Sequence, residues 1–275
     1  MTTPVTFSVV VPTFRRTTKV IQAMESVRAS RNVSVELIVV ENGSDFATKT
    51  FLSERIKSDT YVDLSINLGP GGARNRGAEV ANGQYLLFLD SDDELYPYSL
   101  ATFQNVLASH PLDMLYGAPG ENQNIGATGP LFQVFDDFLD ERNPFIVAFP
   151  SGMVIQRSIF LESGGFVEGT DHMEDLDLWF RMGTNTRFGA ISSPHLFKRN
   201  EGNDSRSLDL EFSFRAISNL IEREFLGVYR GTEQQEKVRK HTIEKVVEYY
   251  CKLYAESTSS KLSAELQKVL SKISR

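Results

Sequence analysis

A rhythm in the first hundred residues constrains this chain more than any other feature. Short, buried-type strands alternate with segments of helical periodicity. Phe7–Val11 (FSVVV), Val35–Val40 (VELIVV) and Gln84–Leu89 (QYLLFL) are continuous apolar runs, and Tyr61–Ile66 alternates like a further strand. Between them, Thr17–Ala29 carries Val20, Ile21, Met24 and Val27 at helical spacing. A second helix is expected after Asp45, with Phe51, Leu52 and Ile56 inward. A third is expected over Gly71–Ala81, ended by an Asn82-Gly83 C-cap, and a fourth from Pro97 to about His110. Strands alternating with helices predict βαβ units and a mainly parallel sheet. Such sheets bind ligands at the carboxyl ends of their strands, here just after Val11, Val40, Ile66 and Leu89.

The remainder is less regular. Asp113–Gly117, Phe149–Ile155 and Arg187–Ile191 are strand candidates, Gly117–Pro130 reads as loop, a short helix precedes Gly164-Gly165, and Met173–Met182 reads as helix. Past about Arg206 the pattern is helical. Ile243, Val246, Val247, Tyr250 and Tyr254 form one face, and Leu262, Leu266, Val269, Leu270 and Ile273 another. The 275 residues suit one large α/β domain or two smaller ones, large enough to bury a core without staples.

Several classes are excluded by simple counts. One cysteine, Cys251, forbids an intrachain disulfide and a Cys-rich metal cluster and fits a reducing compartment. No apolar run approaches the roughly 18 residues of a spanning helix. The N-terminus reads as a first strand rather than a signal peptide. The net charge is −7, unevenly spread. Residues 101–200 hold 6 basic and 12 acidic side chains, whereas residues 237–275 hold 9 basic and 4 acidic. That basic end is too small a surface for a nucleic-acid binder.

Four segments can carry chemistry. Asp90-Ser91-Asp92-Asp93 follows a buried strand, and in an extended segment Asp90 and Asp92 share a side. Hard oxygen ligands of this kind suit Mg²⁺ or Mn²⁺; the alternative is a polar turn capping the next helix. Asn67–Gly77 (NLGPGGARNRG) places four glycines, Arg74 and Arg76 around a helix start, where free N–H groups attract anions; the alternative is a tight connection with solvated arginines. In Glu41–Asp45 (ENGSD), Glu41 or Asn42 can reach a base or ribose, while Asp45 reads as a helix cap. Glu174-Asp175 opens a helix, either as a general base beside a metal–phosphate site or as acids complementing the helix dipole, and the dipole reading is the commoner one. Of the four histidines only His172 lies near acids, and none has metal-binding spacing.

Taken in order, VVPTFRR, VVENGSD, NLGPGGARNRG, LLFLDSDDELYP, PSGMVIQRSIFLESGGF and EDLDLWFRM resemble the family 2 glycosyltransferases of the GT-A fold, over about Phe7 to Arg206. The resemblance implies a Rossmann-like α/β domain over residues 1–205, with a nucleotide-binding half (1–100) and an acceptor-binding half (101–205). Residues 206–275 follow as a helical extension. It implies that Pro12, Thr13 and Arg15 line the nucleotide pocket, with Glu41 and Asn42 near the base. Asn67, Gly69 and Arg74 would frame base and phosphates, and Asp90 and Ser91 would face the nucleotide. Asp92 would hold the metal, with Asp90 and Asp93 as further candidates. Asp175 would be the base, beside Glu174. Asn200 stands where relatives often carry a histidine that contacts metal or diphosphate.

The implied reaction is inverting, Mn²⁺- or Mg²⁺-dependent transfer from a nucleoside-diphosphate sugar, UDP- or dTDP-linked, to a hydroxyl of a saccharide or lipid-linked acceptor in surface polysaccharide or glycoconjugate synthesis. Competing readings are a phosphohydrolase with Asp90 as nucleophile and Asp92 as acid, a non-catalytic nucleotide-sugar-binding protein, and a nucleotidyltransferase. The expected location is cytoplasmic. The tail packs on the catalytic domain or a second subunit, or rests on the inner face of an anionic membrane.

Overall fold

In the computed structural model, residues 6–56, 59–120, 131–169, 173–192, 195–199, 210–256, 264–268 and 271 are described. The order begins β1 (Thr6–Thr13), α1 (Thr18–Arg28), β2 (Ser34–Asn42), α2 (Phe46–Ser53), β3 (Thr60–Leu64), α3 (Gly69–Val80) and β4 (Tyr85–Phe88). It continues β5 (Glu94–Leu95), α4 (Ser99–Ser109), β6 (Met114–Gly117), β7 (Phe132–Phe135), a 3₁₀ turn (Pro150–Gly152), β8 (Met153–Gln156) and α5 (Arg157–Glu162). It closes with α6 (Glu174–Met182), β9 (Phe188–Ile191), β10 (Phe197–Lys198), α7 (Leu210–Phe225) and α8 (Glu233–Glu256).

Eight strands form one sheet in the order β3-β2-β1-β4-β8-β6-β9-β7. The first four are parallel, so Thr13, Asn42, Leu64 and Phe88 end at one edge. β8 runs antiparallel to both β4 and β6, β6 and β9 are parallel, and β7 is antiparallel to β9. The expected mainly parallel α/β architecture is therefore present. Alternate residues divide the core between the two faces. Val10, Ile38, Val40, Leu86 and Phe88 face one cluster, and Val9, Val11, Leu37, Val39, Leu87 and Leu89 the other. Both faces are covered, which is why these strands are apolar throughout.

The first cluster continues without a break from the sheet into the C-terminal helices. Leu176, Trp179 and Phe180 of α6 join Ile217, Leu220 and Ile221 of α7 and Ile243, Val246, Val247 and Tyr250 of α8. Asp177 locks this packing. It accepts from Arg181 Nε (2.8 Å), Arg223 Nε (2.6 Å) and Tyr229 Oη (2.6 Å). A buried Arg239–Glu224 pair (2.9 Å) joins α8 to α7. Among the described residues no helix is long and apolar enough to cross a membrane.

Several local expectations need correction. α3 begins at Gly69, two residues early. It ends with Ala81 extended at ψ 143°, so Asn82-Gly83 is not a left-handed cap. Gly83 has another reason to be glycine: a Cβ there would stand 2.5 Å from Ser8 N on β1. α4 starts at Ser99 rather than at Pro97. Residues 150–152 form a 3₁₀ turn instead of the start of a strand. The β7 strand and the β5–β10 ribbon were not expected. Each is four residues or fewer, too short for periodicity to register. Leu262, Val269, Leu270 and Ile273 lie outside the described residues, as does the side chain of Tyr254, while Leu266 is buried.

Candidate active site

The parallel strand ends gather the first set of residues. β1 delivers Pro12 and the buried Thr13, and the chain then turns through Arg15 in the left-handed region (φ 53°). That turn sends Arg15 outward, with its backbone N–H on Ser44 Oγ (2.8 Å) and its guanidinium 4.9 Å from the Phe14 ring. It sends Arg16 inward. At the end of β2 the fully buried Glu41 accepts from Ser44 N (2.9 Å) and caps the turn. Gly43 is required in this turn. Its φ is 78°, and a Cβ would lie 2.4 Å from Ile66 C.

Asn42 joins two elements. Its amide accepts from Leu68 N (2.9 Å) and donates to Asn67 Oδ1 and Gly69 O (both 3.0 Å), while Asn67 Oδ1 also receives Gly69 N (2.8 Å). Asn42, Asn67 and Gly69 thus build the junction that starts α3.

The acidic turn after β4 divides its side chains. Asp90 Oδ1 receives Arg74 Nη2 (2.6 Å). Asp92 Oδ2 receives Arg16 Nη1 (2.8 Å), and the same nitrogen lies 3.2 Å from Ser91 Oγ. Burial raises the Asp92 carboxyl above its ordinary value; Arg16 opposes this and Asp90 adds to it. Asp93 turns inward. It accepts from Ser151 Oγ (2.6 Å), which itself receives Asp90 N (3.1 Å). Asp93 therefore belongs to the link between this turn and the 3₁₀ turn, while Asp90 and Asp92 face the strand-end edge.

Arg74 unites the two acidic segments. Only 4 % exposed, it donates from Nη1 to Glu174 Oε1 (2.7 Å) as well as to Asp90. Burial alone would lower its pKa, but the two carboxylates outweigh that and raise it. Residues expected to frame phosphates and the neighbour of the expected base are thus in one connected chain: Asp90, Arg74, Glu174. The last of these opens α6 after Met173, a non-glycine residue in the left-handed region (φ 62°). Asp175 is not part of that chain. Its carboxylate accepts from Leu176 N (2.8 Å), and burial, then the charge of Glu174, push its pKa up to about 7. Asn200 and His172 lie outside the described residues.

The site suits a hard divalent cation. Asp90 and Asp92 offer carboxylate oxygens from one turn, beside cationic side chains that can hold phosphate. Among the described residues no three His, Cys, Asp or Glu side chains gather as a closed metal cluster. Mg²⁺-type sites need only one or two carboxylates, with water and phosphate completing the shell.

The family model for glycosyl transferase family 2 matches residues 8–160, which is more than half of the chain. The chain belongs to this family. With that, the phosphohydrolase reading of Asp90 and Asp92 falls. A β-1,3-glucosyltransferase of Campylobacter jejuni, named for GalNAc(5)-diNAcBac-PP-undecaprenol, is 34% identical over 99 residues, 34% of this chain and 32% of its own length. An amylovoran biosynthesis glycosyltransferase of Erwinia amylovora is 35% identical over 97 residues, 33% of this chain and 32% of its own. The match thus spans about a third of these curated relatives. The fold is that of the solved glycosyltransferase structures. Staphylococcus aureus TarS (residues 1–349) superposes with a TM-score of 0.65 at 19% identity, covering 91% of this chain and 72% of TarS. A Pyrobaculum calidifontis mannosyltransferase solved with GDP-Man and Mn²⁺ gives 0.63 at 14%, covering 95% and 78%.

Two site residues escaped sequence reasoning. Arg16 was passed over for Arg15, because only the left-handed turn at Arg15 decides which arginine faces Asp92. Ser151 lies 61 residues from its partner Asp90 and carries no local signal.

Proposed function

We propose that this glycosyltransferase moves a sugar from a nucleoside-diphosphate donor to a hydroxyl of a saccharide or lipid-linked acceptor, by single displacement with inversion. The observation that carries this reading is the Arg74 bridge, which fixes Asp90 of the donor segment and Glu174 of the base segment at 2.6 and 2.7 Å from one guanidinium. Relatives named for glycan and polysaccharide biosynthesis, and solved structures named for complexes with UDP-GlcNAc and GDP-Man, support the substrate class.

In this reading Thr13, Glu41, Asn42 and Asn67 shape the base end of the donor pocket. Asp92 and Asp90 hold Mn²⁺ or Mg²⁺, which when bound offsets charge on the leaving diphosphate. Arg16 is placed to follow that charge, since its Asp92 partner can be exchanged for phosphate oxygen. Arg74 stays buried and keeps Asp90 and Glu174 in place. Asp175 takes the proton of the acceptor hydroxyl as that oxygen attacks the anomeric carbon, and its raised pKa suits a base working near neutral pH. Exposed Phe225 (61 %) and Leu226 (67 %) at the α7–α8 corner support peripheral membrane contact, where a lipid-linked acceptor would reside.

Thermal shift with nucleoside diphosphates, UDP- and GDP-sugars among them, and Mn²⁺ tests the donor half. A ligand at about 100 times its Kd adds about 2.7 kcal/mol, or roughly 5–10 °C in Tm. Asp92→Ala should lose the Mn²⁺-dependent part. No stabilisation by any nucleotide, with or without metal, overturns the reading.

A further inference from the structure

A cleft of about 240 Å³ opens beside Glu174. Its floor is the start of α6, with Met173, Glu174 and Asp177. One wall is a single stripe of α7 in which Phe212, Arg215, Asn219 and Arg223 recur at helical spacing. From Phe212 to Arg223 that wall runs roughly 16 Å at 1.5 Å per residue. Its α7 wall, from Phe212 to Arg223, lies outside the sequence motifs that carry the donor site.

The charges along this cleft are not balanced alike. Its acids are already matched: Glu174 by Arg74 at 2.7 Å, Asp177 by Arg223 at 2.6 Å and by Arg181 at 2.8 Å. Arg215 differs. It is exposed, it pairs with no acid among the described residues, and its guanidinium rests 5.4 Å from the Phe212 ring. An arginine steadied by an aromatic face, with the Asn219 amide one turn on, is a fork for an anionic group. Phe212, Met173 and Leu220 add apolar surface of the kind that packs on a sugar ring or polyol chain.

We propose that this cleft is the acceptor subsite, and that it selects an acceptor carrying an anionic group, phosphate or carboxylate, within about one or two units of the accepting hydroxyl. Arg215 holds the anion, Phe212 and Leu220 flank the chain, and the hydroxyl end lies at the α6 start beside Asp175. This rests on the glycosyltransferase reading and adds the acceptor's chemical class. Arg215 is a specificity residue; it takes no part in donor binding or proton transfer.

The test uses the full chain and three probes: sn-glycerol 3-phosphate, glucuronate and neutral methyl glucoside, titrated by calorimetry or ligand-observed NMR. Wild type, Arg215→Ala, Arg215→Lys and the remote surface control Arg187→Ala are compared, with melting curves to confirm folding. A charge-assisted contact is worth enough that Arg215→Ala should weaken the anionic probe by about tenfold or more. Arg215→Lys should lie between, Arg187→Ala should match wild type, and methyl glucoside should bind far more weakly than either anion. Glycerol phosphate above glucuronate assigns phosphate as the source, and the reverse assigns carboxylate. The proposal is overturned by unchanged anion binding in Arg215→Ala, by an equal loss in Arg187→Ala, or by no saturable anion binding in wild type. Nucleotide binding is measured in parallel. If nucleotides bind and the anion does not depend on Arg215, the cleft assignment alone fails; if nucleotides do not bind, the function itself fails.

Discussion

Two short acidic segments behave alike in composition and differently in space. Asp90-Ser91-Asp92-Asp93 and Glu174-Asp175-Leu176-Asp177 each hold three acids within four residues. In the first, Asp93 is spent on Ser151 and the fold, and Asp90 and Asp92 stay at the strand-end edge on arginines. In the second, Glu174 and Asp177 are both spent on arginines, and only Asp175 is left with a carboxyl pushed well above its usual range. In the proposed reading each motif divides its acids between architecture and chemistry, in opposite proportions. A turn leaves more of its acids at an edge, while a helix start that must also pack against α7 leaves fewer.

The sharpest way to break this comparison is at Asp175. Asp175→Asn is expected to lower turnover by about 10²–10⁴-fold while donor binding persists, since only the proton acceptor is lost. Burial penalises the ionised form, so the same variant should melt at or above the wild-type temperature. Wild-type turnover would remove Asp175 from the base role.

Arg74 tests the shared element instead. Arg74→Met leaves Asp90 and Glu174 facing each other without their buried cation, and a loss of about 3–5 kcal/mol in unfolding free energy is expected by denaturant titration. A change below about 1 kcal/mol would show that the bridge is not structural.

A smaller effect follows from pH. Below about 7 Asp175 holds its proton and cannot take another, so kcat/KM should fall about tenfold per unit as pH drops. The stability sign runs the other way. The folded-state value lies above the unfolded one, so this group's contribution is fully present at low pH and is lost as pH rises through about 7. A flat profile between pH 5 and 8 would contradict both statements.

The smallest effect is expected at Ser151→Ala, about 1–2 kcal/mol of stability with little change in turnover, because Asp93 and the Asp90 backbone N–H each lose one hydrogen bond in a link that is architectural. A large loss of activity with unaltered Tm would move the Ser151 link from the fold to the chemistry.

Much of the first half was legible in the sequence because its signals are local. Continuous apolar strands bounded by helical spacing announce a doubly covered parallel sheet, and the topology rule then points to the strand ends. The second half was harder to read. β8 and β7 reverse direction inside the same sheet, and β7, at Phe132–Phe135, has too few residues to alternate recognisably. At the site, residue types singled out Asp90 and Asp92, and the family resemblance alone singled out Asp175 as base, but the division of labour was hidden. Whether Glu174 acts or anchors depends on Arg74, 100 positions away. Asp177, which fastens α6 to α7, carries no local signal of that role, since its partners Arg223 and Tyr229 are 46 and 52 positions distant.

The chain contains a single tryptophan, Trp179, fully buried on the helix that opens with Glu174 and Asp175. Its indole N–H donates to Ala148 O (2.9 Å), and its ring lies 6.1 Å from that of Phe138. The protein thus carries its own optical probe, on the element that presents the proposed base. Emission should be blue-shifted and uncontaminated by any second indole. A ligand that tightens or tilts this helix will register as a change in one fluorophore, without a label.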